Sequence, residues 1–382
     1  MAAMDRRRVA TILIPPLAAW GMSTAAVFGA CVWAGASPWQ AKPWVHGDGG
    51  LYLEIARHGY VLYRCGIDWC GDTGWFPALP WLAAALHVVT GLSVVAAGVA
   101  IAMLFHWATL QLLWVTFLGR QFTFGAIGAL VFAAFVPGLV FHETFFPLSL
   151  LAFFTLLHLW LLYRGRWVGA GLAGAAAALS YPVGILLALT SAVWLLAQAK
   201  PFTQKLRAIA VASGLTVAGL GVFLIDQRLE LGRWNAYLLA QRKYDHVLEQ
   251  PFAQLENALS ILHHHSPFAV TKIIPVQTTF GITTVTADET VFVAALLACG
   301  LVAIAVQRPL DPLGLLLAIW AVAFWVIPQL ESEVQSYRIE ASLLPFALFL
   351  PRLPRPLVAL FVLLAVAVSV PLARLQFQGW LV

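Results

Sequence analysis

Residues 46–60 read HGDGGLYLEIARHGY. One acid, Asp48, stands among Gly47, Gly49 and Gly50, and an amphipathic run follows it and closes on Gly59 and Tyr60. Leu51, Tyr52 and Ile55, then His58 to Tyr60, recur at roughly helical spacing, which predicts a short helix lying along a membrane surface. The glycines leave the backbone beside Asp48 free to approach a ligand or to take unusual angles. Near a helix N-terminus the backbone dipole favours a charged carboxylate. Two readings stay open for Asp48: a cap on an ordinary loop helix, and an acid kept for chemistry.

The chain around this stretch is built for lipid. Of its 382 residues 61% are hydrophobic and only 10% charged, and the mean hydropathy is +0.86. A soluble surface is roughly 25–35% charged, and several runs reach the roughly 20 residues that span a bilayer. The chain therefore reads as an all-α polytopic membrane protein of about 10–12 helices, without internal repeat or separate soluble domain. The pI near 9.2 is no sign of nucleic-acid binding, because in a membrane protein the position of the basic residues carries the meaning. Residues 1–33 have a basic start and an apolar stretch but no clear small-residue cleavage site, and read as a retained first helix.

Apolar runs place spans at 9–32, 93–118, 123–141, 145–163, 167–180, 182–198, 206–226, 290–306, 311–329, 340–350 and 356–372. The fifth and sixth are short and read as a pair broken at Ser180-Tyr181-Pro182, since proline lacks a donor and pushes the residue before it out of helical geometry. The tenth is also short and carries Pro345. With the N-terminus inside, the inner loops hold 12 of the 22 basic residues, from Arg6, Arg7 and Arg8 to Arg352 and Arg355, with only Asp5 and Asp311 among the acids. That asymmetry fits the positive-inside rule. It predicts a cytoplasmic N-terminus and two long outer segments, 33–92 and 227–289, folded back onto one membrane domain, residues 1–382. Charged residues are expected to avoid the span centres.

The chemistry-bearing residues gather at the predicted outer face. Cys65 and Cys70 in CGIDWC lie in an outer, oxidising loop, so a disulfide is preferred over two free thiols, and two cysteines alone make a poor metal site. His142 and Glu143, in FHETFF, are expected at the membrane edge, and His46, Tyr52 and His58 flank Asp48. Arg242 and Lys243, in QRKYD, could hold a phosphate or face lipid headgroups. The run His263 to His265 reads as surface histidines, since adjacent positions share no face. In QSYRIEASLLPF, Arg338 enters an apolar stretch beside Tyr337 and needs an anionic partner, for which Glu340 and a lipid phosphate are both candidates.

An outer acid, phosphate-binding bases and broken helices fit sugar transfer from a lipid-phosphate carrier. A carboxylate can deprotonate an acceptor hydroxyl, and Arg stabilises a departing phosphate. The order of motifs resembles the PIG-V-type mannosyltransferases, the GPI mannosyltransferase II family and its bacterial relatives. GDGGLYLEIARHGY resembles their W-D-x-x-W-Y-x-x-I-A-x-x-G-Y, with Gly47 and Leu51 in place of Trp. WFPALP at 75–80, HETFFPLSLLAFF at 142–154, LSYPVGILL at 179–187, AYLLAQRKYD at 236–245 and SYRIEASLLPF at 336–346 resemble later family segments in order, with Tyr181 in place of Arg and Ile339 in place of Tyr.

The resemblance implies a GT-C-type glycosyltransferase fold with a structured first outer loop, the outer segments 33–92 and 227–289 forming the active-site face. It implies a polyprenyl-phosphate sugar donor, most often mannose, an inverting mechanism and Asp48 as catalytic base. His46, Tyr52, His58, His142, Glu143, Arg242, Lys243, Tyr337 and Arg338 are then candidates for binding donor or substrate. The acceptor is a lipid, glycan or protein. A divalent cation between Asp48 and Glu143 and a metal-free site are equally consistent with the sequence. The Ala/Gly/Val-rich composition points to a bacterial plasma membrane, with the site on its periplasmic or extracellular side. The rival classes are a transporter, which usually shows inverted repeats and midplane ionisable residues, and a non-catalytic accessory subunit, which has no need of Asp48.

Overall fold

The computed structural model describes residues 6–242, 252–264, 272–273, 282–307, 309, 311–330 and 336–381. The chain opens with α1 (Arg6–Trp33), α2 (Gly49–His58), a hairpin of β1 (Leu62–Cys65) and β2 (Asp68–Gly71), α3 (Ala78–Thr90) and α4 (Val94–Leu112). Next come α5 (Phe124–Ala134), α6 (Val140–Glu143), α7 (Leu148–Tyr163), α8 (Trp167–Ser180) and α9 (Leu186–Ala197). The last part holds α10 (Phe202–Leu231), α11 (Ala236–Gln241), α12 (Ala253–His264), α13 (Thr284–Val306), α14 (Pro312–Val326), α15 (Ser336–Ala341) and α16 (Arg355–Phe377). Six helices among the described residues are long and apolar enough to cross a membrane, and five shorter apolar helices pack among them. Helices suit this setting because they satisfy every backbone donor internally.

The packing follows membrane rules, with small residues at close crossings. At Gly219 of α10 a Cβ would stand 2.5 Å from the Ala175 carbonyl of α8, so the two helices meet backbone to backbone. The N-terminal half of α1 lies beside the C-terminal end of α4, where Trp114 Nε1 donates to the Thr11 carbonyl at 2.8 Å and Gln111 Nε2 to Ile12 at 3.1 Å.

Three breaks shape the Asp48 end of the bundle. Tyr181 is extended (φ −158°, ψ 148°) and Pro182 opens a 3-10 turn, Pro182–Ile185, so α8 and α9 are the broken pair expected from the sequence. The expected span 123–141 is also interrupted. Pro137 and Gly138 (φ 75°) end α5 early, and the Ser369 hydroxyl of α16 lies 2.7 and 3.0 Å from the carbonyls of Phe135 and Val136. Third, residues 340–350 are no α-span. After α15 the chain runs as a buried 3-10 segment, Leu344–Arg352, because Pro345 and Pro351 remove ladder donors. The sequence reading left residues 78–90 within an outer loop, whereas they form α3, which folds back along α4.

The first loop is tied to the distant end of α10. Cys65 and Cys70 form the disulfide that closes the hairpin. Tyr60 N donates to Glu230 at 2.6 Å and Val61 N to Asp72 at 2.7 Å. Gln227, fully buried, donates to the Thr73 carbonyl at 2.7 Å and accepts from Tyr237 N at 3.1 Å.

Gln227→Leu removes both bonds and leaves a buried carbonyl and amide to find other partners. The expected cost is about 1–3 kcal/mol, read as a lower Tm of the purified chain. Burial pushes the Asp72 carboxyl up to about 6, so its charged form is disfavoured in the folded state. Stability is therefore expected to fall as pH rises from about 4 to about 6. Thermal unfolding across that range should show the slope in the native chain and a shallower one in Asp72→Asn.

Candidate functional site

Asp48 sits at the N-cap position of α2, but its side chain makes no capping bond. The carboxylate turns away from the helix it precedes and pairs with Arg338 Nη1 of α15. Gly47 before it has a φ of 55°, the left-handed region that a Trp would occupy only under strain. A Cβ on Gly49 would stand 3.1 Å from the Phe145 carbonyl, so this glycine lets the loop press against the chain after α6. Phe145 N completes that seam by donating to the Trp44 carbonyl at 3.0 Å.

The pair is largely buried, with side-chain exposures of 15% for Asp48 and 12% for Arg338. Its walls are aromatic. The guanidinium carbon lies 5.8 Å from the Phe146 ring centroid and 5.7 Å from that of Tyr337, within the range where a ring face attracts a cation. Tyr337 stacks on Phe141 at 5.8 Å, Tyr52 meets Phe146 edge-on at 5.5 Å, and Phe146 meets Tyr181 at 6.1 Å. Burial raises the Tyr52 phenol well above its ordinary range, so it stays a neutral hydroxyl. Arg338 Nε is buried and has no hydrogen-bond partner. A guanidinium and a carboxylate in an aromatic pocket can bind an anion and take up a proton.

Glu340 is not the partner of Arg338. It is fully buried and its Oε2 accepts from Thr290 of α13 at 3.0 Å. Glu143, expected at the membrane edge, is also fully buried. Its Oε1 lies 2.9 Å from His106 Nδ1 and accepts from Thr24 at 2.9 Å and Ser23 at 3.4 Å. Ionisable groups are thus buried within the helix bundle. His142 is buried as well, and its Nε2 lies 2.8 Å from the Ala341 carbonyl at the end of α15, fastening the helix that carries Arg338.

The other candidates lie apart from the pair. His46 is half-buried beside Gly379, its imidazole pushed down by burial and then by Lys42. His58 is exposed and lies 3.7 Å from Glu54. Arg242 is exposed at the end of α11, a helix packed on β2, and Lys243 lies outside the described residues, as does His265. Among the described residues no three His, Cys, Asp or Glu side chains are grouped to hold a metal ion. Phe141, Phe146 and Tyr181 were not among the candidates. Tyr181 had a signal in the sequence, the proline break beside it, while the two phenylalanines were hidden in an apolar run.

This architecture is the GT-C glycosyltransferase fold. Among the solved structures it matches are those of the oligosaccharyltransferase AglB from Archaeoglobus fulgidus. The apo form aligns with a TM-score of 0.51 at 15% identity, covering 95% of this chain and 56% of that one. The form tethered by a disulfide to an acceptor peptide containing the NVT sequon gives 0.50 at 14% identity, covering 95% and 55%. The complex with an inhibitory peptide and a dolichol-phosphate gives 0.50 at 14%, covering 95% and 56%. The chain thus spans a little over half the length of these proteins. No protein-family model and no curated protein sequence matches it.

Arg338→Ala leaves a buried carboxylate without its counter-charge, which is expected to cost about 3–5 kcal/mol. A double variant with Asp48→Asn should recover part of that loss, and thermal unfolding of the four proteins measures the coupling.

Proposed function

We propose that the chain is an inverting glycosyltransferase. It moves a sugar, mannose by the motif resemblance, from a polyprenyl-phosphate carrier to an acceptor hydroxyl at the outer face of a bacterial plasma membrane. The observation that carries this reading is the Asp48–Arg338 pair in its aromatic pocket. The fold supports it, because the oligosaccharyltransferase with that fold has been solved with a dolichol-phosphate and, separately, with an acceptor peptide. Those are the two kinds of molecule, lipid phosphate and separate acceptor, that the transfer needs.

In the step, the acceptor hydroxyl gives its proton to a carboxylate oxygen of Asp48 as its own oxygen attacks the anomeric carbon. The bond from that carbon to the phosphate oxygen breaks, and its electron pair leaves with the phosphate. Arg338 neutralises the charge growing there. Attack from the face opposite the phosphate inverts the anomeric centre. Tyr52, Phe146, Tyr181 and Tyr337 exclude water and offer ring faces to the sugar. The step as written needs no metal, and a divalent cation on Asp48 would have to share that carboxylate with Arg338.

The test is transfer of label from radiolabelled polyprenyl-phosphate-mannose in membranes that express the chain. Asp48→Asn is expected to insert and stay folded yet lose transfer by about 10²–10⁴-fold. Equal turnover in the variant would sink Asp48 as the base. Transfer that appears only with another sugar on the carrier would correct mannose and keep the mechanism. Intact donor in every case would move the reading to an accessory subunit or a transporter.

A further inference from the structure

Arg338 carries one positive charge, and two anions have a claim on it. One is Asp48, which holds Nη1. The other, on the transferase reading above, is the donor phosphate. The pocket walls of Tyr52, Phe141, Phe146 and Tyr337 add no cation to serve both. We propose that Asp48 is an internal competitor of the lipid phosphate for Arg338, so that loading the donor is what frees the carboxylate to act as base. This inference rests on the transferase reading and adds to it an order of events.

Three features of the geometry support the exchange. The Asp48 side chain makes no bond to the amides of its own helix, so Arg338 is the partner that holds it in place, and the carboxylate can leave without breaking a cap. Arg338 Nε is buried and unpartnered, so the guanidinium has donor capacity that Asp48 does not use and that a phosphate oxygen could take. Both side chains are more than four-fifths buried. At that depth two anions on one cation repel strongly, because a low dielectric magnifies charge interactions.

The exchange also gives the product a way out. Once Asp48 has taken the acceptor proton it is neutral and has lost its hold on Arg338, which stays with the polyprenyl phosphate. When that proton leaves, the carboxylate is charged again and competes for the guanidinium. Asp48 thus opposes lipid phosphate at the start and at the end of a turnover, and opposes it least in between.

A competitor covalently fixed in the pocket lowers apparent affinity by the fraction of time it occupies the site. Removing its charge should therefore strengthen binding, the reverse of what deleting a ligand contact does. The probe is a polyprenyl monophosphate, titrated into the full chain in nanodiscs and read by calorimetry. Asp48→Asn is expected to bind it about tenfold or more tightly than the native chain. Asp48→Glu, which keeps the charge, should bind close to the native value, and Arg338→Gln should lose binding with or without Asp48→Asn. The uncharged polyprenyl alcohol should distinguish none of these proteins.

Unchanged or weaker binding in Asp48→Asn, with normal binding in the native chain, overturns the competition and leaves the transferase reading standing. Equal tightening in Asp48→Asn and Asp48→Glu overturns it too, since a loosened pocket and not a removed charge would then be the cause. Failure of the native chain and of Asp48→Asn alike to bind the phosphate removes the lipid-phosphate reading itself, and this inference with it.

Discussion

A guanidinium inside a helix bundle has to be answered by an anion, and the placement of Arg338 depends on that rule. Left alone at this depth the charge would cost several kcal/mol in lost hydration. The answer comes from Asp48, 290 residues away in the chain. To bring the two together, α2 must press against the segment after α6, and α15 must hang between α13 and the 3-10 run that follows it. Gly49 makes the first contact short enough. His142 secures the second, through its bond to the Ala341 carbonyl. The breaks at Pro137-Gly138 and Tyr181-Pro182 serve the same geometry, for they fold Phe141, Phe146 and Tyr181 in around the pair.

The polar groups behind the pocket follow a related logic. Glu143 lies where a carboxylate is costly, and its Oε1 is met by two hydroxyls of α1 and an imidazole of α4. Such a network draws three separate segments to one point and lends the packing a direction that apolar contacts alone lack. The first loop is held in the same way at its far end, where Gln227, Glu230 and Asp72 take up amides and carbonyls of the loop. Asp48 therefore stands on a loop that is pinned on both sides.

Much of this could be read from the sequence, for reasons that differ by element. Membrane class followed from composition, and the α8–α9 break from the tyrosine-proline step. The helix after Asp48 followed from its periodicity, and the hairpin disulfide from two cysteines in one short outer loop. Asp48 and Arg338 were each singled out, but their partnership was not. Sequence nearness suggested Glu340 for Arg338, and spacing along a chain says nothing about which carboxylate a tertiary fold will deliver. The burial of Glu143 was not foreseen, because nothing in an apolar run names the hydroxyls of α1 and the imidazole of α4 that meet it. The α3 helix escaped because its run is too short for a span, and 340–350 was taken for a short span carrying Pro345, whereas Pro345 and Pro351 give a 3-10 run there. The GT-C fold was expected from the resemblance around Asp48, and the match to the solved structures, at 14–15% identity, bears out that fold.

The distance along the chain between the two halves of the pair also has a temporal meaning. A ribosome adds about 5–20 residues per second. Asp48 therefore leaves it roughly 15–60 s before Arg338 does. During that interval the first loop can form its hairpin and settle on α3 and α4, but its carboxylate has no counter-ion. The pocket closes only after most of the helices have been threaded and packed. An unfinished or wrongly threaded chain then carries an acid without its counter-ion.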